Sequence, residues 1–81
     1  MKIKMIATTQ DKRINRYYEI HMTKGFLNTH IVQYAWGRIG RKPTLKTQIF
    51  EEEKTAHSFF NAKVKRRLNS RKRLGVSYEI L

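Results

Sequence analysis

The chain has no cysteine and a single proline. Without thiols there is no disulfide framework and no thiolate metal site, and the composition suits a reducing compartment. The expectation is a cytoplasmic protein, with association to the nucleoid as a variant of it. No run approaches the ~18 apolar residues of a membrane span. The opening Met1-Lys2-Ile3-Lys4-Met5 lacks the apolar stretch of a secretory signal. No amphipathic helix of the interfacial Trp/Phe/Lys type is evident, so a membrane partner is not expected. Acids are scarce, six Asp and Glu against eighteen Lys and Arg. No two carboxylates fall on one face as an acid–base pair, and Glu51-Glu52-Glu53 fit the start of a helix better. His21, His30 and His57 do not stand at metal-ligand spacing. Ser58, Ser70 and Ser77 have no nucleophile context, and no glycine-rich phosphate loop is present. The expectation is therefore a protein without catalysis, cofactor or metal.

What is present is charge. A net +12 on 81 residues exceeds what solubility requires and draws polyanions to the surface. Nucleic acid is the first candidate, DNA before RNA, with anionic lipid behind. The length allows one domain, residues 1–81, in which residues 1–14 form an N-terminal strand and loop.

Alternation of apolar and polar residues predicts strands over residues 2–7, 16–22, 29–36 and 44–50, with a last one over 76–81. The first reads as an edge strand with its lysines outward. From Glu51 the period changes. Ala56, Phe59, Phe60, Val64 and Leu68 are spaced by three and four, the signature of one helical face. Acids at the start and Lys63, Lys65, Arg66 and Arg67 near the end complement the helix dipole, and Asn69-Ser70 interrupts it. The fold class is α+β: a twisted antiparallel sheet of four to five strands with one amphipathic helix packed on a face. Tyr18, Ile20, Leu45, Ile49, Phe59, Phe60 and Val64 are the core candidates.

The residues that stand out are Tyr34-Ala35-Trp36-Gly37-Arg38-Ile39-Gly40, which hold the only tryptophan and two of the four glycines. Trp36 is either a platform on which a base stacks or a core anchor. Arg38 is either a fork for phosphate or a solvated charge. Gly37 is expected to supply a backbone shape closed to other residues, where the strand stops. Asn15 offers an amide to phosphate or merely begins a strand. Arg16, Arg41 and Lys42 are candidate phosphate neutralisers. The run from Lys63 holds seven cations and no acid up to Arg73; its functional reading is non-specific backbone contact.

These residues together resemble the WGR domain, a module of DNA-dependent poly(ADP-ribose) polymerases and of short bacterial proteins. Asn15-Arg16-Tyr17-Tyr18 is similar to the family's opening strand, with Arg in place of the usual Lys. Trp36-Gly37-Arg38-Ile39-Gly40 matches its signature. Phe50, Ala56, Phe60 and Lys63 follow its spacing into a single helix, and Gly75 with Tyr78 resembles its closing segment. The resemblance implies a twisted antiparallel sheet with one helix. It also implies binding of DNA ends, as in DNA repair, with the tryptophan on the terminal nucleotide. The motif arginine and the strand asparagine then hold the end; here those roles fall on Trp36, Arg38 and Asn15, with Tyr78 beside them. No transferase activity is expected from it. The alternative is a module for a protein partner, or for RNA or the ribosome, using the same basic surface.

Overall fold

Five strands form from the alternating segments: β1 (Lys2–Thr8), β2 (Asn15–Lys24), β3 (His30–Arg38), β4 (Thr44–Phe50) and β5 (Glu79–Ile80). Helix α1 (Glu53–Leu68) and one further helical turn, α2 (Arg71–Leu74), lie between β4 and β5. The structure, a computed structural model, describes residues 1–81 apart from the side chain of Arg73. The strands form one antiparallel sheet in the order β4-β3-β2-β1-β5. This is the expected α+β architecture.

Side chains of successive strand residues point to opposite faces, and α1 covers one face only. That face contributes Met5 and Ala7 from β1, Tyr18 and Ile20 from β2, and Val32 and Tyr34 from β3, all buried. The helix answers with Ala56 and Phe60, and Phe59 and Val64 pack at the margin. Burying a side chain like Phe60 stabilises by about 1.5–3 kcal/mol. The helix enters without a side-chain cap at Glu52, so packing rather than capping holds its first turn.

Two core expectations are corrected. Leu45 and Ile49 are 65% and 63% exposed. They stand opposite Ala35 and Ile31 in the register, on the face that α1 leaves open. Alternation separates the two sides of a strand but cannot say which one the helix covers. As β4 is the outermost strand, its helix-side residues Thr44, Lys46 and Gln48 are exposed as well. β1 is not the sheet's edge either, because β5 pairs with it at Met5 and Ile6; Lys2 and Lys4 do point outward. The expected C-terminal strand over residues 76–81 shrinks to the two paired residues of β5.

The chain reverses after α1 through Ser70, which is fully buried and donates its hydroxyl to the Val76 carbonyl at 3.1 Å. Gly75 closes α2 in the left-handed region at φ 81°, which glycine enters without a Cβ penalty. That reversal returns Tyr78 to the sheet. The helical turns are therefore two and not one continuous basic helix.

The β1–β2 loop is tied down from within. The Thr9 hydroxyl donates to Asp11 Oδ1 at 2.7 Å, and the Arg13 amide donates to the same oxygen at 3.1 Å. These bonds, that from Thr9 foremost, hold the Asp11 carboxyl below its ordinary range.

Candidate nucleic-acid interface

β3 carries Trp36 and Arg38 on its helix side, two residues apart, so both side chains project at the same end of the sheet. β4 leaves from this end, and α1, about 24 Å long at 1.5 Å per residue, returns to it. Its basic last turn therefore lands beside Trp36. The β1–β2 loop and the segment after α2 close the circle. The result is an open cleft of about 360 Å³ lined by Arg13, Arg16, Trp36, Gly37, Arg38, Arg67, Leu74 and Tyr78.

Trp36 is half-buried. Its ring stacks on Tyr34, with centroids 5.7 Å apart and planes 16° apart, and it packs against the core while its outer part lines the cleft. Trp36 is thus anchored against the core on one side and contributes to the cleft lining on the other. Tyr34 itself is covered by the Lys63 ammonium, 4.9 Å from its centroid. Cation–π contact of this kind fixes the lysine stem against the aromatic row.

The arginines of the cleft come from four parts of the chain. Arg16 and Arg38 are direct cross-strand partners, and like charges placed opposite one another oppose pairing. Arg38 partly relieves this by turning its guanidinium onto the β1–β2 loop, donating to the Arg13 carbonyl at 3.1 Å and the Lys12 carbonyl at 2.9 Å. It is a clamp on the loop that carries Arg13, and two of its five N–H groups are engaged in that way. Arg67 lies with its guanidinium 4.2 Å from the Tyr18 ring centroid. No carboxylate lines the cleft; Asp11, which stands 4.0 Å from Arg13 Nε, is a brake on its field.

Beneath Arg67, Tyr18 is fully buried and its hydroxyl has no hydrogen-bond partner among the described residues. Burial pushes its pKa up to about 12, against the opposing pull of Arg67.

Of the residues singled out from the sequence, Trp36, Gly37, Arg38, Arg16, Arg67 and Tyr78 meet at the cleft. Tyr78 is buried, 6% exposed, and forms wall rather than rim. Asn15 does not line it. By alternation Asn15 falls on the face of Tyr17 and Glu19, and its carbonyl accepts from the Ile39 amide at 2.8 Å. Arg41 and Lys42 are exposed in the β3–β4 loop, and Lys65 and Arg66 are exposed on α1; none of them lines the cleft, nor does Lys63.

The role expected of Gly37 is corrected. β3 runs on through Gly37 and Arg38 in extended conformation. The glycines with positive φ are Gly40, at 87°, and Gly75. A Cβ on Gly37 would meet Pro43 Cα at 3.6 Å and Tyr17 Cε1 at 3.8 Å, ordinary contact distances. The turn that ends the motif strand is made at Gly40.

Arg13 and Leu74 are cleft residues that sequence reasoning passed over. For Arg13 a signal existed. In a β1–β2–β3 meander the first loop and the end of the third strand share one end of the sheet, so a loop arginine just before Asn15 must approach Arg38.

Among the described residues no helix is long and apolar enough to cross a membrane, and no group of three His, Asp or Glu residues could hold a metal ion. Neither the curated proteins nor the solved structures give a match to this chain. A family model does: the WGR domain matches residues 1–73. That span takes in β1 and its loop and stops before Gly75 and Tyr78. With nine-tenths of its length covered and the Trp-Gly-Arg run at the mouth of the cleft, the chain belongs to the WGR domain family, a family of nucleic-acid-binding modules.

Proposed function

We propose that this chain is a non-catalytic module that holds DNA at ends or single-strand junctions, without base specificity. Trp36 stacks on an exposed base or sugar, and the arginines around it grip the phosphates. The observation that carries this is the gathering of Arg13, Arg16, Arg38 and Arg67 around the open side of Trp36 with no carboxylate in the lining. Such a cluster repels itself unless an anion sits among it, and a guanidinium matches phosphate oxygens in pairs. A flat aromatic beside it accepts any base, since every base has a stacking face. A duplex interior hides those faces, whereas an end or a junction presents one. Lys65 and Arg66 extend the positive field outward along α1 and supply affinity without sequence code.

The test is an anisotropy titration with end-bearing duplex, covalently closed circles, single strands and structured RNA at matched salt. Ended duplex is expected to bind tightest, with affinity falling steeply as salt rises. Equal affinity for closed and ended duplex would remove the claim of end binding. A clear preference for RNA would replace DNA as the ligand.

A further inference from the structure

The sheet has one long open edge. β5 covers part of the other side, pairing with Met5 and Ile6, but β4 has no strand beside its outer edge along all seven residues and no proline inside it. Proteins usually guard such an edge with several charges, a bulge or a proline. β4 carries only Lys46 along its length and presents Leu45 and Ile49 to solvent.

Charge along this edge departs from the rest of the chain. Residues 41–53 contain three cations, Arg41, Lys42 and Lys46, and three acids, Glu51, Glu52 and Glu53. Half of the chain's acids stand here, so in a +12 protein this edge is neutral. Two of the cations, Arg41 and Lys42, stand before the strand and the acids stand after it. Glu53 pairs with His57 at 3.4 Å. Among the described residues, the Lys42, Glu51 and Glu52 side chains have no hydrogen bond or ion pair in their own chain.

We propose that β4 pairs antiparallel with β4 of a second copy, about a two-fold axis at Thr47. A two-fold perpendicular to the sheet permits only registers in which paired residue numbers have an even sum, because paired side chains must share a face. Centring on Lys46 would set that lysine against itself. Centring on Gln48 would set Leu45 against Glu51 of the second copy. Centring on Thr47 sets Leu45 against Ile49, Lys46 against Gln48 and Lys42 against Glu52, each contact occurring twice. The apolar strip then continues through Ala35 and Ile31, their neighbours on β3. The outcome is one ten-stranded sheet with both helices on the same side. From strand spacing and rise, the two Trp36 side chains stand about 25 Å apart on that side. Lys42, which the cleft does not use, gains a function at this edge.

Sedimentation velocity of the full chain, free of nucleic acid and across the micromolar range, tests this. The wild type is expected to pass from monomer to dimer with concentration. Leu45→Lys should weaken the dimer on the order of tenfold or more, since a symmetric interface counts each change twice. Lys42→Glu and Glu52→Lys should each be weakened alone, and an equimolar mixture of the two should recover the dimer, because the mixed pair restores both contacts. Circular dichroism of each variant confirms that it is folded. A wild type that stays monomeric throughout overturns the inference. So does a dimer that Leu45→Lys leaves intact, or one that the mixture fails to recover.

Discussion

Replacing Arg38 separates its clamp on the β1–β2 loop from its proposed part as a ligand for phosphate. In the free protein Arg38→Ala loses two hydrogen bonds, at 3.1 and 2.9 Å, to the carbonyls of Arg13 and Lys12. Both carbonyls are at the surface and find water instead, so the loss is at the low end for such bonds, about 1 kcal/mol in all. Removing the charge opposite Arg16 returns a few tenths of that. The net change in stability is therefore below about 1 kcal/mol, a fall in Tm of a few degrees for a domain of this size. For DNA the loss is larger. A guanidinium–phosphate contact is charge-assisted, worth about 1.5–3 kcal/mol, which is roughly 10- to 150-fold in affinity. The slope of log affinity against log salt should also fall by about one. Arg38→Lys keeps the charge but not the fork, and should recover the salt slope without recovering the full affinity. Thermal unfolding and anisotropy titration over a salt series read the two effects side by side. If Tm falls as expected while affinity and salt slope stay at wild-type values, Arg38 serves the loop alone and its part in binding is refuted.

Trp36→Ala should weaken ended DNA by about 1–3 kcal/mol and leave closed circles nearly unchanged; an equal loss on both forms would mean that the ring acts only through packing on Tyr34. Gly37→Ala should shift stability by less than about 1 kcal/mol, because its strand is extended and its surroundings admit a Cβ. Gly40→Ala, at φ 87°, should cost about 1–2 kcal/mol from backbone strain, and the reverse order in chemical denaturation would contradict the geometry. Tyr18→Phe should be neutral to slightly stabilising at pH 7, since it deletes a buried hydroxyl with no partner among the described residues. With its pKa at about 12 in the fold against 10 unfolded, Tyr18 keeps its proton in the fold while the unfolded chain loses it. Wild-type stability should thus drop through pH 10–12 by about 2 kcal/mol more than that of Tyr18→Phe, and parallel pH profiles would show the hydroxyl to be solvated.

The elements and their order were legible because each writes its period into the chain. Tyr18, Ile20 and Met22 repeat by two, while Ala56, Phe59, Phe60 and Val64 repeat by three and four. The Trp-Gly-Arg signature pointed to the end of the sheet where the arginine-lined cleft lies. Leu45 and Ile49 were misplaced because period two is symmetric between faces and only the path of α1 breaks that symmetry. Gly37 was misread because a glycine after a strand pattern looks the same whether it bends the chain or lies under Tyr17. Arg13 was missed because its partner, the Arg38 guanidinium, is 25 residues away in sequence, and only the meander brings them together. The neutral edge was visible as a run of three acids but read as a helix start; only Glu53 enters the first turn of α1.

Three local rules are broken in an otherwise consistent fold: like charges face each other at Arg16 and Arg38, the Tyr18 hydroxyl is buried without a partner among the described residues, and β4 lies unguarded. In sequences where propensity, pattern and packing agree, such breaks mark places where something outside the chain completes the structure. The first lies at the cleft, the second is sealed beneath Arg67 and the third lies on the neutral edge, so an anion at the first and a second strand at the third are different remedies for different defects. Salt tells them apart. Raising it screens the arginine cluster and so should stabilise the free monomer, while the same ions displace DNA from the same groups. The β4 edge, neutral overall, depends on Leu45 and Ile49 more than on its end charges, and should respond to salt far less than DNA binding does. A protein whose DNA affinity and self-association declined together with salt would have one charged surface serving both, and the division of the molecule into a cationic end and a neutral edge would be wrong.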